Sequence, residues 1–519
     1  MGNISLIPQV KSLQENGFVF NLSAASRIAA ATPGAVNAAE LLAEYLRKST
    51  GFALPVVSEV CAGDIVLSEN GLDQCDDCGF YNERYTVKVT GENIFIAGGN
   101  TAALVRGIQT LRQLFPAEVY SEKVVDCKWS VPGVEIDDEP AFRWRGIMID
   151  VARHFFNKNE VCRMIELAAQ FKVSVVHLHL TDDQGWRVEI KRYPKLTEIG
   201  SVRKRTIIGH ESSRPRKYDY TPYGGFFTVE ELREIVEFAA KRAIMLVPEI
   251  DMPGHMCAAI AAYPELGNFP QHQLDVRDCW GISYQILSPR DYTVEFMQNV
   301  LNDIMDIFPG RFIHIGGDEA RKDEWAISPD AQEIMARENC KNESELQSYF
   351  IRRMSEVITA RGRRMIGWNE IMHGGLADGA AVMSWQDTSY GNDAAKMHHD
   401  VVMAPKTMTY LNYYQADPAH EPPAIGGDIS AEMVYRFNPV CAELNEDEQK
   451  YILGGQAQMW SEYIDNIKLW EYHAFPRYCA LAEKLWSPAD KCHFADFVKR
   501  LSSIRKKFAV QDVNAHVLP

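Results

Sequence analysis

No apolar run in the 519 residues is long enough to span a bilayer, so a transmembrane helix is not expected. Positive charge is the scarcer sign: 54 Lys and Arg stand against 70 Asp and Glu, a formal charge of −16. That imbalance argues against nucleic acid or an anionic membrane as partner and sits more easily with a neutral or cationic ligand. Cysteine is thin and odd in number, 11 in all, which does not describe a disulfide scaffold. Cys75-Asp76-Asp77-Cys78 is the only close pair, and no second pair or histidine follows at zinc spacing. It reads as a surface loop with room for a local disulfide. Cys162, Cys257 and Cys479 sit in apolar helical surroundings and read as core. There is no Gly-x-Ser-x-Gly elbow for a serine nucleophile, no solenoid repeat, and no glycine-rich phosphate loop after an early strand. The start, Met1-Gly2-Asn3-Ile4-Ser5, has neither a basic nor an apolar leader, and Leu6 spoils a myristoylation motif. The expected location is periplasmic or secreted if a leader has been removed, and cytoplasmic otherwise.

What is present divides in two, as a chain this long should. Residues 1–138 read as a small α+β unit. Strands are expected at 18–20, 64–67, 85–89 and 94–97, and helices at 35–48 and from 100 to Leu114, where Pro116 stops the second. Val131-Pro132-Gly133 through Asp138-Glu139-Pro140 reads as a linker. From 139 to 519 short apolar runs alternate with helical patterns. Strands are expected at 147–151, 173–180, 244–250, 312–315, 365–368, 381–385, 401–405 and 453–460, with helices clearest at 161–171, 229–242, 294–307 and 343–361. Eight such βα units predict an α/β fold, a (β/α)8 TIM barrel with a C-terminal helix; an open doubly wound sheet is the alternative.

The active site of such a barrel lies at the C-terminal ends of its strands. Those ends read Asp150 with Arg153-His154; His177, His179 and Asp182-Asp183; Glu249, Asp251 and His255; Asp318-Glu319; Trp368-Asn369-Glu370; Trp385-Gln386-Asp387; Tyr410-Leu411-Asn412; and Trp460-Ser461-Glu462. Three tryptophans and Tyr410 suit a flat-walled apolar pocket, with core packing as the competing reading for each tryptophan. Arg153, Asp182, Asn412 and Glu462 can bracket hydroxyls. A sugar ring needs that combination.

His314-Ile315-Gly316-Gly317-Asp318-Glu319-Ala320 carries the chemistry. A buried strand runs into a glycine turn and presents two adjacent carboxylates. Two charges held that close cannot both ionise easily, so at least one acid is expected to titrate high.

Residues from about 143 to 487 resemble glycoside hydrolase family 20, the β-N-acetylhexosaminidases. The resemblance is carried by 314–319, by Arg145-Gly146 to Asp150 with Arg153-His154-Phe155, and by His177-Leu178-His179 with Asp182-Asp183. Pro248 to His255, Gly454 to Glu462 and Phe475 to Glu483 extend it. Ile7-Pro8-Gln9 and Gly107 to Leu111 resemble the small domain that precedes the barrel in many members. The resemblance implies substrate-assisted catalysis, with Glu319 as acid and base and Asp318 orienting the substrate's acetamide. It implies that Trp368, Trp385 and Trp460 enclose the acetamide methyl and that Tyr410 donates to its oxygen. Arg153 and Glu462 would hold outer hydroxyls; Asp182 and His255 would tune Glu319. Where the family commonly has Asp after Tyr-Leu, this chain has Asn412, a change bearing on epimer preference or on room for a substituent. No cofactor and no metal are expected. The expected partner is a β-GlcNAc- or β-GalNAc-terminated glycan, with a homodimer as the assembly to test.

Two readings from other classes compete. His177 and His179, with Asp182, Asp318 and other carboxylates, could ligate a metal in a hydrolase barrel, which a chelator would test. A sugar-binding protein without turnover would share the pocket.

Overall fold

The computed structural model describes residues 4–71 and 75–518. Its first unit is a seven-stranded sheet: β1 (Ser12–Asn21), β2 (Ile28–Ala30), β3 (Val56–Val57), β4 (Ile65–Glu69), β5 (Tyr85–Val89), β6 (Ile94–Gly98) and β7 (Ser130–Asp138). Their order is β1-β7-β5-β6-β4-β2-β3. Helices α1 (Val36–Thr50) and α2 (Thr101–Leu114) share a buried core with this sheet. Asn100 caps α2 by accepting from the Ala103 N–H at 3.0 Å, one of the donors a helix start leaves free.

The stretch expected to be a linker is strand β7, paired on both sides. Pro132 and Gly133 misled because they mark an irregular pairing and not a chain break. Register shifts between Glu15 and Val19 on β1, opposite this point. A Cβ on Gly133 would fall 2.7 Å from the backbone oxygen of Phe18, so the bulge favours glycine there.

Eight parallel strands then close a barrel: β8 (Trp144–Asp150), β9 (Val175–His179), β10 (Met245–Glu249), β11 (Phe312–His314), β12 (Arg364–Trp368), β13 (Ala381–Ser384), β14 (Val401–Met403) and β15 (Ile452–Ala457). Closure excludes the open doubly wound sheet. The helices include α3 (Lys158–Ala169), α4 (Val229–Lys241), α5 (Asp291–Ile307) and α6 (Glu343–Ala360), then α7 (Arg477–Trp486) and α8 (Phe494–Val510) near the end. Capping boxes at Asn157/Glu160 and Thr228/Glu231 start α3 and α4. No helix among the described residues is long and apolar enough to cross a membrane.

One apolar cluster takes a residue from every barrel strand: Trp144, Val175, Val247, Phe312, Ile366, Ala381, Val402 and Leu453. Cys78 and Phe80 of the first unit join it from below, Phe80 meeting Trp144 edge-on at 6.0 Å. All cysteines are free, so the Cys75/Cys78 pair forms no disulfide. Cys78 is buried, with Sγ 3.4 Å from Asp400 Oδ2 and 3.0 Å from Arg364 Nη1. Cys257 and Cys479 are buried as expected, while Cys162 is half-buried.

The two units are joined by buried charge. Glu83 accepts from Arg106 Nε at 2.7 Å and from Arg145, and both guanidinium groups are nearly inaccessible. Asp138 accepts from Lys172 Nζ at 2.8 Å and Trp486 Nε1 at 2.9 Å. Removing one partner of such a cluster leaves a desolvated charge uncompensated. Glu83→Gln is expected to cost about 3 kcal/mol of stability, read as a lower urea midpoint. An unchanged midpoint would mean that Arg106 and Arg145 find other acceptors.

Candidate active site

Strand β11 is buried throughout, and its polypeptide leaves the barrel through two glycines with left-handed backbones, Gly316 at φ +65° and Gly317 at φ +99°. A Cβ on Gly316 would fall 1.7 Å from Asp251 Oδ1, so only glycine lets the turn fold against that carboxyl. Asp251 Oδ1 in turn accepts the Gly317 N–H at 3.1 Å. Glu319 itself has φ +48°. The turn brings both carboxylates to one side of the barrel mouth. An oxygen of Asp318, an oxygen of Glu319 and a ring nitrogen of His255 lie within 4.8 Å of one another. His255 Nε2 stands 3.6 Å from Asp318 Oδ2 and from Glu319 Oε2, at ion-pair distance, and its Nδ1 stands 3.1 Å from Asp182 Oδ1.

The adjacent acids differ. Asp318 is buried, whereas the Glu319 side chain is 32% exposed. Burial pushes the Asp318 carboxyl up to about 6; His255 opposes that rise and Glu319 adds to it. Burial works against charge on His255, but the carboxylates of Asp182, Glu319 and Asp318 hold its imidazolium well above the usual range.

A pocket of about 280 Å³ opens over this pair. It is lined by Arg153, His255, Asp318, Glu319, Trp368, Trp385, Tyr410, Asn412, Trp460 and Glu462, together with Lys406, Tyr413 and Ile425. Trp385 and Tyr410 stack at 6.1 Å; Trp460 meets Trp368 at 5.7 Å and Tyr410 at 6.3 Å. Trp368 is buried, while Trp385 and Trp460 are half-buried and show a face to the pocket. Burial raises the Tyr410 hydroxyl well above its usual value, which keeps it a donor. Three buried acceptors among the lining residues have no protein partner: Asp318 Oδ1, Asn412 Oδ1 and Glu462 Oε2. Buried acceptors normally have a donor, so these are open to one from water or from a ligand.

The chain matches the family model "Glycosyl hydrolase family 20, catalytic domain" over residues 142–489 and "Glycosyl hydrolase family 20, domain 2" over 3–139. The chain belongs to glycosyl hydrolase family 20. It is 40% identical over 517 residues to a beta-hexosaminidase of Porphyromonas gingivalis, covering 99% of this chain and 64% of that relative's length. It is 34% identical to a beta-hexosaminidase of Vibrio furnissii, covering 92% of this chain and 76% of the relative. Among solved structures, a mutant Streptomyces plicatus beta-hexosaminidase in complex with product (GlcNAc) superposes with TM-score 0.85 at 28% identity, covering 99% of this chain and 96% of that one. An exo beta-N-acetylglucosaminidase from Vibrio harveyi in complex with N-acetylglucosamine superposes with TM-score 0.84 at 31% identity, covering 99% and 78%.

Behind the wall of this family 20 site lies a buried polar layer. Glu249 accepts from Trp368 Nε1 at 2.8 Å and lies 2.5 Å from His179 Nδ1 and 3.0 Å from His177 Nε2 and His314 Nδ1. Burial favours the neutral acid, but the three histidines outweigh it and hold Glu249 well below the usual range. His179 has its second nitrogen 2.8 Å from Asp182 Oδ2, so carboxylates face both sides of the ring. Burial is outweighed there, and the imidazolium is held. His177, by contrast, is driven down to about 4 by burial and stays neutral. Among the described residues no single cluster holds all four named residues of the metal reading; His177 groups with Glu249 and His314, Asp182 with Asp251 and His255, and Asp318 with Glu249 and Asp251 or with His255 and Glu319.

Asp182 is the one expected substrate-binding residue that does not line the pocket. It sits behind Arg153 and His255, 2.7 Å from Arg153 Nη2. Arg153 is also held by Asp150 Oδ2 and Gln184 Oε1, each at 3.2 Å, and lies 4.7 Å over Trp460. Lys406, Tyr413 and Ile425 were not anticipated; they come from loops beyond β14, where no periodicity marks a pocket-facing residue.

Proposed function

We propose that the chain is a retaining exo-β-N-acetylhexosaminidase that removes terminal β-linked GlcNAc or GalNAc with the substrate's own acetamide as nucleophile. The observation that carries this reading is the unequal carboxylate pair on one side of an aromatic pocket. Glycosidases with two opposed carboxylates hold them across the scissile bond; an adjacent pair cannot do so, which favours the substrate-assisted route. Several family 20 neighbours are solved with GlcNAc, which supports an acetamido sugar.

Each acid has a role suited to its surroundings. Asp318, buried and ionised above about pH 6, accepts the acetamide N–H and balances positive charge on the forming oxazolinium ring. The acetamide oxygen attacks the anomeric carbon as its bond to the leaving oxygen breaks, and Glu319 donates a proton to that oxygen. The more open Glu319 then takes a proton from water as it attacks the anomeric carbon and reopens the ring. Two inversions leave the β configuration. Tyr410 donates to the acetamide oxygen, the tryptophans enclose its methyl, and Arg153, Asn412 and Glu462 take the outer hydroxyls. The pocket is small for a ligand site, which favours one sugar over a chain.

The test is chromophore release from aryl β-GlcNAc, β-GalNAc and β-glucoside, with and without a chelator. Turnover of the acetamido sugars alone, indifferent to chelation, is expected, and their ratio reads the effect of Asn412. Equal turnover of the glucoside would sink the mechanism, because that sugar has no internal nucleophile. Loss of activity with chelator would revive the metal reading.

A further inference from the structure

Trp385 is only half-buried, yet a wall that recognises one small acyl group must hold a fixed angle. Its indole Nε1 donates to Glu370 Oε2 at 2.9 Å. The other Glu370 oxygen accepts from Gln386 Nε2 at 3.1 Å. Gln386 Oε1 accepts from Asn369 Nδ2 at 2.9 Å, and Asn369 Oδ1 accepts the backbone N–H groups of Trp385 at 3.1 Å and Gln386 at 3.2 Å. These bonds close a ring across the ends of β12 and β13. Both side-chain donors that reach position 370 are N–H groups, so the ring calls there for two acceptors and no donor. A carboxylate meets that demand; an amide meets half of it and an aliphatic side chain none.

Glu370 is 8% exposed, and no Lys, Arg or His nitrogen lies within 4.0 Å of it among the described residues. A buried carboxylate with no cation in contact is costly: burial and the repulsion of Asp318 push Glu370 up to about 7, with only the more distant Lys322 attracting its charged form. Apolar packing would fill the same space more cheaply if only the fold needed it. We propose that Glu370 is a positioning residue whose carboxylate locks the Trp385 indole in the plane against which the substrate's 2-acetamido group packs. This rests on the acetamide reading above. Glu370 then selects for the acyl group without touching it.

The test uses two inhibitors on the full chain. One is the thiazoline analogue of the bicyclic intermediate, which carries the methyl; the other is an iminosugar with no 2-acyl group. By calorimetry, Glu370→Leu is expected to raise the thiazoline Kd at least about tenfold and Glu370→Gln about threefold, the scale of one or two hydrogen bonds. Iminosugar binding should stay within about twofold. In a Trp385→Phe background, which has no indole N–H to lock, the Glu370→Leu cost should vanish. Equal weakening of both inhibitors, or a cost that persists in the Trp385→Phe background, overturns the assignment. If the Leu variant does not fold, the Gln variant carries the same cycle. A wild-type chain that binds the iminosugar but not the thiazoline sinks the acetamide reading itself, a different failure from a Glu370 variant that binds both as wild type does.

Discussion

Glu319→Gln is expected to lower kcat/KM for an aryl N-acetylglucosaminide with a poor leaving group by about 10² to 10⁴, the usual scale of losing a general acid. The amide keeps the size and the left-handed backbone at 319 but has no proton to give. The loss should shrink as the leaving group improves, because a good leaving group departs without protonation. Two substrates that differ only in aglycone acidity therefore check the role as well as the residue. kcat/KM is the right quantity, since it reports the step up to bond cleavage and not the later attack of water. His255, at 3.6 Å from both acids, keeps its partner in Asp318, so the variant should stay folded by circular dichroism. A loss of the same size for good and poor leaving groups would mean that Glu319 acts in some way other than proton donation.

The barrel was readable because parallel strands covered on both faces become nearly continuous apolar runs. Each of the eight expected runs overlaps an observed strand. Residues 458–460 extend the last run in sequence, but the ladder of β15 stops at Ala457 and Trp460 turns into the pocket wall. The turn at 316–319 was legible because a glycine pair after a buried apolar run breaks the strand. Hydrogen-bond direction was not. Asp182 looks like any strand-end acid in sequence, and only its contacts with Arg153, His179 and His255 set it behind the wall. Glu370 was visible at a strand end too, but its partner Trp385 lies just past the end of the next strand, and no spacing rule joins them.

Asp318→Asn should separate activity from stability in opposite directions. Turnover is expected to fall by about 10² to 10³, the cost of removing a preorganised charge from a developing cation. Asparagine keeps an acceptor for the acetamide N–H, so most of that loss is electrostatic. In the wild type, kcat/KM should decline as pH falls through about 6, where Asp318 takes a proton; the residual activity of the variant should lack this limb. Stability moves the other way. The folded carboxyl titrates at about 6 against an ordinary 3.8, so folding favours the protonated form. That contribution is full below the ordinary value and is lost as pH rises through about 6. Asparagine is neutral throughout and escapes the loss. At pH 7.5 the variant should be more stable than wild type by about 1–3 kcal/mol, and the gap should close below pH 4. The attraction of His255 for Asp318 is already contained in the net upward shift, so it does not reverse the sign. A variant less stable than wild type at pH 7.5 would show that the His255 ion pair outweighs the cost of burying the charge. A mild loss of turnover would place the orientation of the acetamide elsewhere in the pocket.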